Sequence, residues 1–310
     1  MQTILITGGN GMVGRNLKNI IDNYKYKVLS FSSKEYDLTI YDSCFKLFSS
    51  ANPTFVIHLA AEVGGLYKNM NKKVNMFEKN ILLNVNVLKC CHLFGVKKLI
   101  SCLSTCIFPD KVEYPIVESS LHDGKPHASN YCYAYAKRML DIQTQAYKEE
   151  HNSNFMCVIP CNIYGKYDNF SIEDGHVIPS LIHKCYLSKK NNTPFIVRGT
   201  GEPLRQFIYA EDFAYIIVNL LENYEDNENI IISTGEEDEI SIGDVARIIS
   251  DIFEQPNIIF DDSYSNGQYK KTVSNEKFKN FMSEFKFTDI RKGLEESIQW
   301  FVKNYDKCRK

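Results

Sequence analysis

The chain has 310 residues, with 36 Lys and Arg against 38 Asp and Glu, and a net charge of −2. That balance gives no general attraction to nucleic acid or to an anionic membrane, so a phosphate-bearing partner must be met by local basic residues. The length suits one large or two moderate domains, 44% of the residues are hydrophobic, and no run approaches the roughly 18 apolar residues of a membrane span.

In chain order, Thr3–Ile6 reads as a strand, Met12–Ile21 as a helix, Lys27–Phe31 as a strand, Tyr41–Phe48 as a helix and Phe55–Leu59 as a strand. Val74–Phe94 predicts a long helix and Lys98–Leu103 another strand. Tyr133–Glu150 carries apolar or aromatic residues at Tyr135, Met139, Ile142 and Ala146, a helical spacing, and Met156–Ile159 is a buried strand that stops at Pro160. Strands alternating with helices argue a Rossmann-type, doubly wound parallel sheet. After residue 162 the alternation lapses into polar loops (Gly165–Gly175, Asn191–Pro194, Asp261–Lys271) between helices Val177–Ser188, Glu211–Glu222, Ser241–Phe253 and Asp289–Tyr305. Ser241 and Asp244 form the start of a capping box. Strands Phe195–Val197 and Ile230–Ser233 add to the sheet or to a small second lobe. The expected plan is a cofactor domain over 1–162 and a smaller C-terminal α/β substrate lobe over 163–310, with some segments returning to the sheet. The cleft would lie between them.

The first strand starts at Gln2–Thr7, which is read as leaving no room for a secretory leader. The ten cysteines lie mostly in apolar runs (Cys90, Cys91, Cys102, Cys157, Cys161) and show no CxxC zinc spacing. They read as reduced, buried thiols of a cytoplasmic protein, and no metal is expected. The sequons Asn169-Phe-Ser171 and Asn191-Asn-Thr193 are read as chance matches.

Thr7-Gly8-Gly9-Asn10-Gly11-Met12-Val13-Gly14 follows the first strand and opens the first helix. Glycines there permit a tight turn and close backbone approach to a pyrophosphate, and the helix N-terminus supplies N–H donors. The end of the second strand reads Ser30-Phe-Ser-Ser-Lys34 in place of the usual acidic residue. Hydroxyls and Lys34 suit a 2′-phosphate, so NADPH is the expected cofactor, although Glu35 follows at once.

Tyr133-Ala-Tyr-Ala-Lys137 places a phenol and an ammonium one helical turn apart. A cation there is expected to pull the tyrosine pKa down from ~10 and ready it for proton transfer at a carbonyl or alcohol oxygen. Ser104, at a strand end, would hold the same oxygen, with Thr105 as a competing hydroxyl. Cys106 lies two residues beyond Ser104, and His176 sits in the polar loop Glu173-Asp-Gly-His-Val-Ile-Pro179. A thiolate and an imidazolium would serve as base and acid for moving a proton on carbon next to a carbonyl.

With these residues in place the chain resembles the GDP-L-fucose synthases of the extended short-chain dehydrogenase/reductase superfamily, essentially end to end. The superfamily motifs are the glycine loop, His58-Leu-Ala-Ala61, Ser104 and Tyr133/Lys137. More specific to the family are Val63-Gly-Gly65, Ser104-Thr-Cys-Ile-Phe-Pro109, Asp168-Asn-Phe170, Gly175-His-Val-Ile-Pro179 and Gly199-Thr-Gly201 with Arg205-Gln-Phe-Ile208. The resemblance implies that Tyr133 protonates the sugar C4 oxygen as NADPH delivers hydride, that Lys137 holds the nicotinamide ribose, and that Ser104 binds the C4 oxygen. It implies Cys106 as the base at C3 and C5 and His176 as the acid on the opposite face. Ala60 and Ala61 would line the cofactor. Asn162, Lys184 and Arg205 match positions that meet the GDP-sugar, and one of Lys270 and Lys271 would join them at the diphosphate. Family members pair as homodimers through cofactor-domain helices, here Val74–Phe94 and Tyr133–Glu150. Two departures stand out: Arg198 replaces a frequent Trp and is read as a guanine or phosphate contact, and Lys166-Tyr167 replaces Pro-His.

Two neighbouring activities share the glycine loop and Tyr133/Lys137. A UDP-hexose 4-epimerase needs no Cys106/His176 pair, and a 4,6-dehydratase places Asp-Glu where Thr105-Cys106 stands. A non-catalytic NADP-binding regulator would tend to lose Tyr133 or Lys137.

Overall fold

A computed structural model describes residues 1–21 and 26–310. Its first half contains β1 (Thr3–Thr7), α1 (Met12–Ile21), β2 (Lys27–Leu29), α2 (Tyr41–Ala51), β3 (Phe55–His58), α3 (Leu66–Asn71), α4 (Lys73–Leu93), β4 (Lys98–Cys102), α5 (Tyr131–His151) and β5 (Phe155–Pro160). The second half adds β6 (Asn162–Tyr164), α6 (Val177–Asn191), β7 (Phe195–Arg198), β8 (Leu204–Arg205), β9 (Phe207–Tyr209), α7 (Ala210–Asn223) and β10 (Ile230–Ile232). It closes with β11 (Ile240–Ser241), α8 (Ile242–Ile252), β12 (Ile258–Asp261), α9 (Glu276–Phe281) and α10 (Ile290–Lys303).

The main sheet has the order β10-β5-β4-β3-β1-β2, with every neighbouring pair parallel. The chain builds β2 on one side of β1 and β3 to β5 on the other, so the order reverses between β1 and β3. Ligand crevices open at such a reversal, outside the carboxyl ends of the strands. Because both faces are covered, the strand interiors are mostly apolar, and their alternation sorts two cores. Leu5, Val56, Leu99 and Cys157 pack with Phe48, Val87 and Leu140 of α2, α4 and α5. Ile4, Ile57, Ile100 and Met156 pack with Leu17, Phe213 and Ile217 of α1 and α7. A third core, with Phe170, Ile178, Phe195, Val245, Ile249 and Phe301, belongs to the C-terminal lobe.

α7 and β10 therefore belong to the sheet body although they follow residue 162, while β7 pairs with β12 in the lobe. The sequence pattern foresaw neither the short strands β6, β8, β9, β11 and β12 nor helices α3 and α9. Two to four residues carry no usable period for a strand, and six carry little for a helix. Ser241 caps α8 by accepting the Asp244 N–H at 2.9 Å, while its hydroxyl donates to the Asp244 carboxylate at 2.6 Å. On α5 the buried face is Ala134, Lys137, Leu140 and Thr144, whereas Met139 and Ile142 stand exposed.

Lys98 clamps α7 to the sheet. Its buried Nζ donates to the carbonyls of Leu220 (2.5 Å), Leu221 (3.3 Å) and Tyr224 (2.6 Å). A cation also suits a helix C-terminus, where the dipole is negative. Lys98→Met removes the donor and leaves these carbonyls short of partners. It should lower the unfolding free energy by about 1–3 kcal/mol in urea denaturation, the cost of unsatisfied buried groups. An unchanged midpoint would mean that water satisfies them as well.

Candidate active site

At the β1–β3 reversal the glycine loop forms a cradle that side chains would fill. Gly8 has φ +69°, and a Cβ there would lie 2.8 Å from Ala60 N; a Cβ on Gly14 would lie 2.4 Å from Gly9 Cα. The Gly11 N–H closes the turn on Gly8 O at 2.9 Å. Thr7 Oγ1 and His58 Nδ1 meet at 2.7 Å, His58 Nε2 meets Asn84 Oδ1 at 3.0 Å, and Thr7 Oγ1 accepts the Ala60 N–H at 3.2 Å. These bonds tie the carboxyl ends of β1 and β3 together. Burial, aided by Lys137, pushes the His58 pKa down to about 3, so it is a neutral structural link. Gly8, Asn10, Gly11, Met12, Val13, Gly14, Ala60 and Ala61 line one end of a cleft of about 1020 Å³, with Gly9 behind them against Ser30. The bare backbone and the start of α1 fit a dinucleotide pyrophosphate.

Past Cys102 the chain turns. Ser104 caps a single 3₁₀ turn, Thr105–Ile107, by accepting the Cys106 N–H at 3.4 Å. Thr105 and Cys106 are both buried; of the two, Cys106 lines the cleft, with Ser104 and Tyr133 beside it. Lys137 is buried under Tyr133, 5.9 Å from its ring centroid, and donates to the Cys102 carbonyl at 2.7 Å.

The titration of this corner departs from the expectation for Tyr133. Its phenol is pushed well above the ordinary tyrosine value, first by burial and then by the thiols of Cys106 and Cys102. Lys137 itself is buried beside it and donates to a backbone carbonyl, and burial lowers its pKa. Tyr133 is thus held protonated. Burial likewise raises the Cys106 thiol, and Lys271 is the largest influence drawing it back, followed by Ser104 and Lys137.

The opposite wall comes from the C-terminal lobe. His176 is exposed at the N-terminus of α6 and lines the cleft. The loop that carries it packs on Val63-Gly-Gly65, where Gly65 N–H donates to Asp174 O at 3.0 Å and a Cβ on Gly65 would lie 2.3 Å from Gly175 O. Behind His176, Asp168 is buried; its Oδ1 accepts the Asn169 N–H at 2.6 Å, and its Oδ2 has no partner. Burial raises the Asp168 carboxyl, opposed first by His176.

Asn162, Lys184, Arg198, Arg205 and Lys271 all line the cleft, whereas Lys270 does not. Burial pushes Lys184 and Lys271 down to about 8 and Arg205 to about 10. Asn162 Nδ2 donates to Gln206 O at 2.9 Å, and Arg205 donates to the carbonyls of Leu204, Tyr269 and Gln268, which fixes the loop over the cleft. Arg198 forms a bidentate pair with Glu173 (3.1 and 2.7 Å) and lies over the rings of Tyr264 (4.7 Å) and Tyr67 (5.4 Å). Lys166 and Tyr167 are outside the cleft: Lys166 pairs with Glu211 and Glu296, both at 2.9 Å, and Tyr167 packs edge-on against Trp300.

Lys34 is not brought into the cleft. It is exposed in a turn closed by the Glu35 carboxylate, which accepts the Ser32 N–H (2.8 Å) and hydroxyl (2.7 Å). Ser32 and Ser33 do reach the cleft. Beside the loop, and like Lys34 outside the cleft lining, Lys18 Nζ meets Asn10 Oδ1 and Ser30 Oγ, both at 3.3 Å, and Arg15 Nε donates to Asn10 O at 3.0 Å. Sequence reasoning missed this basic pair. The signal was there, since residues 15 and 18 share a face one turn into the helix that follows the glycines.

A glycine cradle at the reversal of a parallel sheet, faced by a Tyr-x-x-x-Lys helix, defines a dinucleotide-binding α/β protein. Residues 4–235 match the NAD dependent epimerase/dehydratase family. A GDP-L-fucose synthase of Dictyostelium discoideum is 51% identical over 313 residues, covering 100% of this chain and 98% of that protein. A probable GDP-L-fucose synthase of Drosophila melanogaster is 43% identical, with 100% of each chain covered. The crystal structure of a GDP-L-fucose synthetase from Naegleria fowleri bound to NADP superimposes with a TM-score of 0.93 at 48% identity, covering 100% of this chain and 95% of that one. The chain belongs to the NAD dependent epimerase/dehydratase family and, within it, to the GDP-L-fucose synthases.

The placement of Lys18 and Lys34 makes a paired test of the cofactor end. Lys18→Ala should weaken NADPH about tenfold or more relative to NADH, the size of a lost charge-assisted hydrogen bond. Lys34→Ala, at an exposed site, should change that ratio by about twofold or less. Fluorescence titration of both cofactors decides it; the reverse ranking would return the 2′-phosphate to Lys34.

Proposed function

We propose that this chain converts GDP-4-keto-6-deoxy-D-mannose to GDP-L-fucose by epimerising C3 and C5 and then reducing C4 with NADPH. The observation that carries this reading is that Cys106 and His176 share one cleft with Ser104 and Tyr133, beneath which Lys137 is buried. A 4-epimerase has no use for the first pair, and a dehydratase would need acids where Thr105 and Cys106 stand.

The glycine loop, Ala60, Ala61 and the Lys18–Ser30 corner hold the NADPH, with Lys137 at its nicotinamide ribose. When bound, NADPH supplies the hydride. The GDP-sugar lies against Asn162, Lys184, Arg198, Arg205 and Lys271, whose cations offset the diphosphate. Ser104 donates to the C4 oxygen. The Cys106 thiolate takes the proton from C3, and the C–H electron pair moves into the C4 carbonyl as an enolate. His176 returns a proton to the carbon from the opposite face; Cys106 then gives its proton to solvent and His176 takes one up before the sequence repeats at C5. Both carbons are acidic only because the C4 ketone lies between them. Reduction comes last, since it removes that ketone. Tyr133 then gives its proton to the C4 oxygen, and burial keeps it in the protonated state that this step needs.

The exposed Val74, Phe77, Leu82 and Val85 on α4, with Tyr131, Met139 and Ile142 on α5, support a homodimer closed through these helices. The ten free cysteines support a reducing, cytoplasmic location.

Two variants separate the chemistries. Tyr133→Phe keeps the ring packing and should cut reduction by about 10²–10⁴-fold while NADPH still binds; a loss of only a few-fold moves the acid elsewhere. Cys106→Ser lacks a group that ionises near neutrality, so epimerisation should stop while reduction continues. Its product should be an unepimerised GDP-6-deoxyhexose such as GDP-rhamnose, and GDP-L-fucose from that variant would remove Cys106 from the mechanism.

Sedimentation velocity tests the assembly. The wild type should sediment near twice its 35.8 kDa chain mass, and Leu82→Asp with Ile142→Asp should shift it to a single chain. A monomeric wild type would sink the homodimer.

A further inference from the structure

The His176 ring makes no hydrogen bond among the described residues, so its place in the cleft depends on the backbone that carries it. Within that loop the Asp174 N–H donates to Ser171 Oγ at 3.2 Å and the Gly175 N–H to Ser171 O at 3.0 Å. From outside, Ser180 Oγ of α6 donates to Ile172 O at 3.1 Å, and the Gly65 N–H, at the start of α3, donates to Asp174 O at 3.0 Å. Between these two points stands Glu173, whose carboxylate accepts both Nη groups of Arg198, at 3.1 and 2.7 Å.

This ion pair has more behind it than a pair on open surface. Arg198 ends β7, and its side chain is only 22% exposed. Its guanidinium lies 4.7 Å from the ring centroid of Tyr264 and 5.4 Å from that of Tyr67, and the two rings meet edge to face at 6.0 Å. Tyr67 belongs to α3, two residues past Gly65, and Tyr264 to the loop after β12. A guanidinium offers a flat face to rings and a fork to a carboxylate, so one side chain joins α3, β7, the loop after β12 and the His176 loop. Its hydrogen bonds hold the Glu173 carboxyl below the ordinary range, which keeps the pair ionised at neutral pH.

We propose that Arg198 is a positioning residue for His176: by clamping Glu173 beside Tyr67 and Tyr264, it sets the loop on which the proton-returning ring stands. The proposal rests on the reading of His176 as the acid of epimerisation and adds what holds that ring on its face of the sugar. Glu173 precedes His176 by three residues, so a carboxylate that drifts takes the ring with it. A misplacement of about 1 Å is enough to cost a step much of its rate.

Hydrogen exchange of the enzyme without substrate, read by mass spectrometry, and steady-state kinetics of the same variants test this. In both R198M and E173A, peptides covering 171–176 should exchange about three- to fivefold faster than in wild type, the scale of a partly exposed ion pair, while sheet peptides stay unchanged. At saturating substrate, kcat for GDP-L-fucose should fall by about the same factor or more in both, and an unepimerised GDP-6-deoxyhexose should appear as a by-product. E173A, at an exposed site, decides the matter if R198M does not fold. Unchanged exchange in both variants would overturn the proposal, as would faster exchange with an unchanged kcat. A higher KM in R198M alone, with E173A like wild type, would also overturn it and leave Arg198 as a substrate contact. If exchange quickens in both variants while the wild type makes no epimerised sugar, the clamp stands and the assigned reaction falls.

Discussion

The hydrogen bond from Lys137 Nζ to the Cys102 carbonyl, 2.7 Å long, is the constraint on which the rest of the site depends. It ties α5 to the carboxyl end of β4 at the point where the strand gives way to the Ser104 turn. One helical turn back along α5 stands Tyr133; just beyond Cys102 stand Ser104 and Cys106. A buried ammonium without such an acceptor would be costly, so the bond fixes both elements at one corner of the cleft. It also commits the Lys137 charge. Burial raises the Tyr133 phenol, and the Lys137 ammonium still opposes the burial of the Cys106 thiol nearby.

The facing wall of the cleft is the C-terminal lobe. Loops 165–176 and 261–271 close over the crevice that the parallel sheet opens and supply His176, Asp168 and Lys271 to it, while Arg205 comes from β8. Arg205 holds a loop of the lobe through the carbonyls of residues 268 and 269, and Gly65 of the cofactor part holds the His176 loop through Asp174. Arg198, with its bidentate Glu173 pair and its place over Tyr67 and Tyr264, builds a flat, cationic surface from three separate segments. A planar guanidinium flanked by rings can stack on a base, which gives the departure from Trp a physical equivalent. Lys166 and Tyr167, by contrast, are spent on Glu211, Glu296 and Trp300, away from the cleft.

What was legible in the sequence follows the same physics. The sheet strands and their helices were readable because apolar runs alternate with helical periods along the chain, even where the paired strand is only three residues as in β2 and β10, and because Gly8 to Gly14 sit between the first strand and the first helix. The lobe's strands were not, since pairs such as Ile240–Ser241 with Leu204–Arg205 exist only through tertiary contact. Among the site residues, Ser104, Cys106, Tyr133 and His176 line one cleft, and Lys137 is buried beneath Tyr133 on the Cys102 carbonyl. Charge states were harder to read. The Tyr133–Lys137 spacing says that the two groups are near each other, and only the fold says that the ammonium is given to a carbonyl. Lys34 looked right by position along the chain, but the Ser32–Glu35 turn leaves it in solvent while Lys18 reaches Ser30. Lys270 and Lys271 were indistinguishable as letters, and the fold brings only Lys271 to the cleft.

The central claim is that one cleft first moves protons on carbon and then reduces the ketone that made those carbons acidic. Incubating the wild type with GDP-4-keto-6-deoxymannose and NADPH in D₂O, and reading the product by NMR, tests that order most directly. The account predicts GDP-L-fucose carrying deuterium at both C3 and C5. A reduced 6-deoxyhexose with neither position labelled would contradict it.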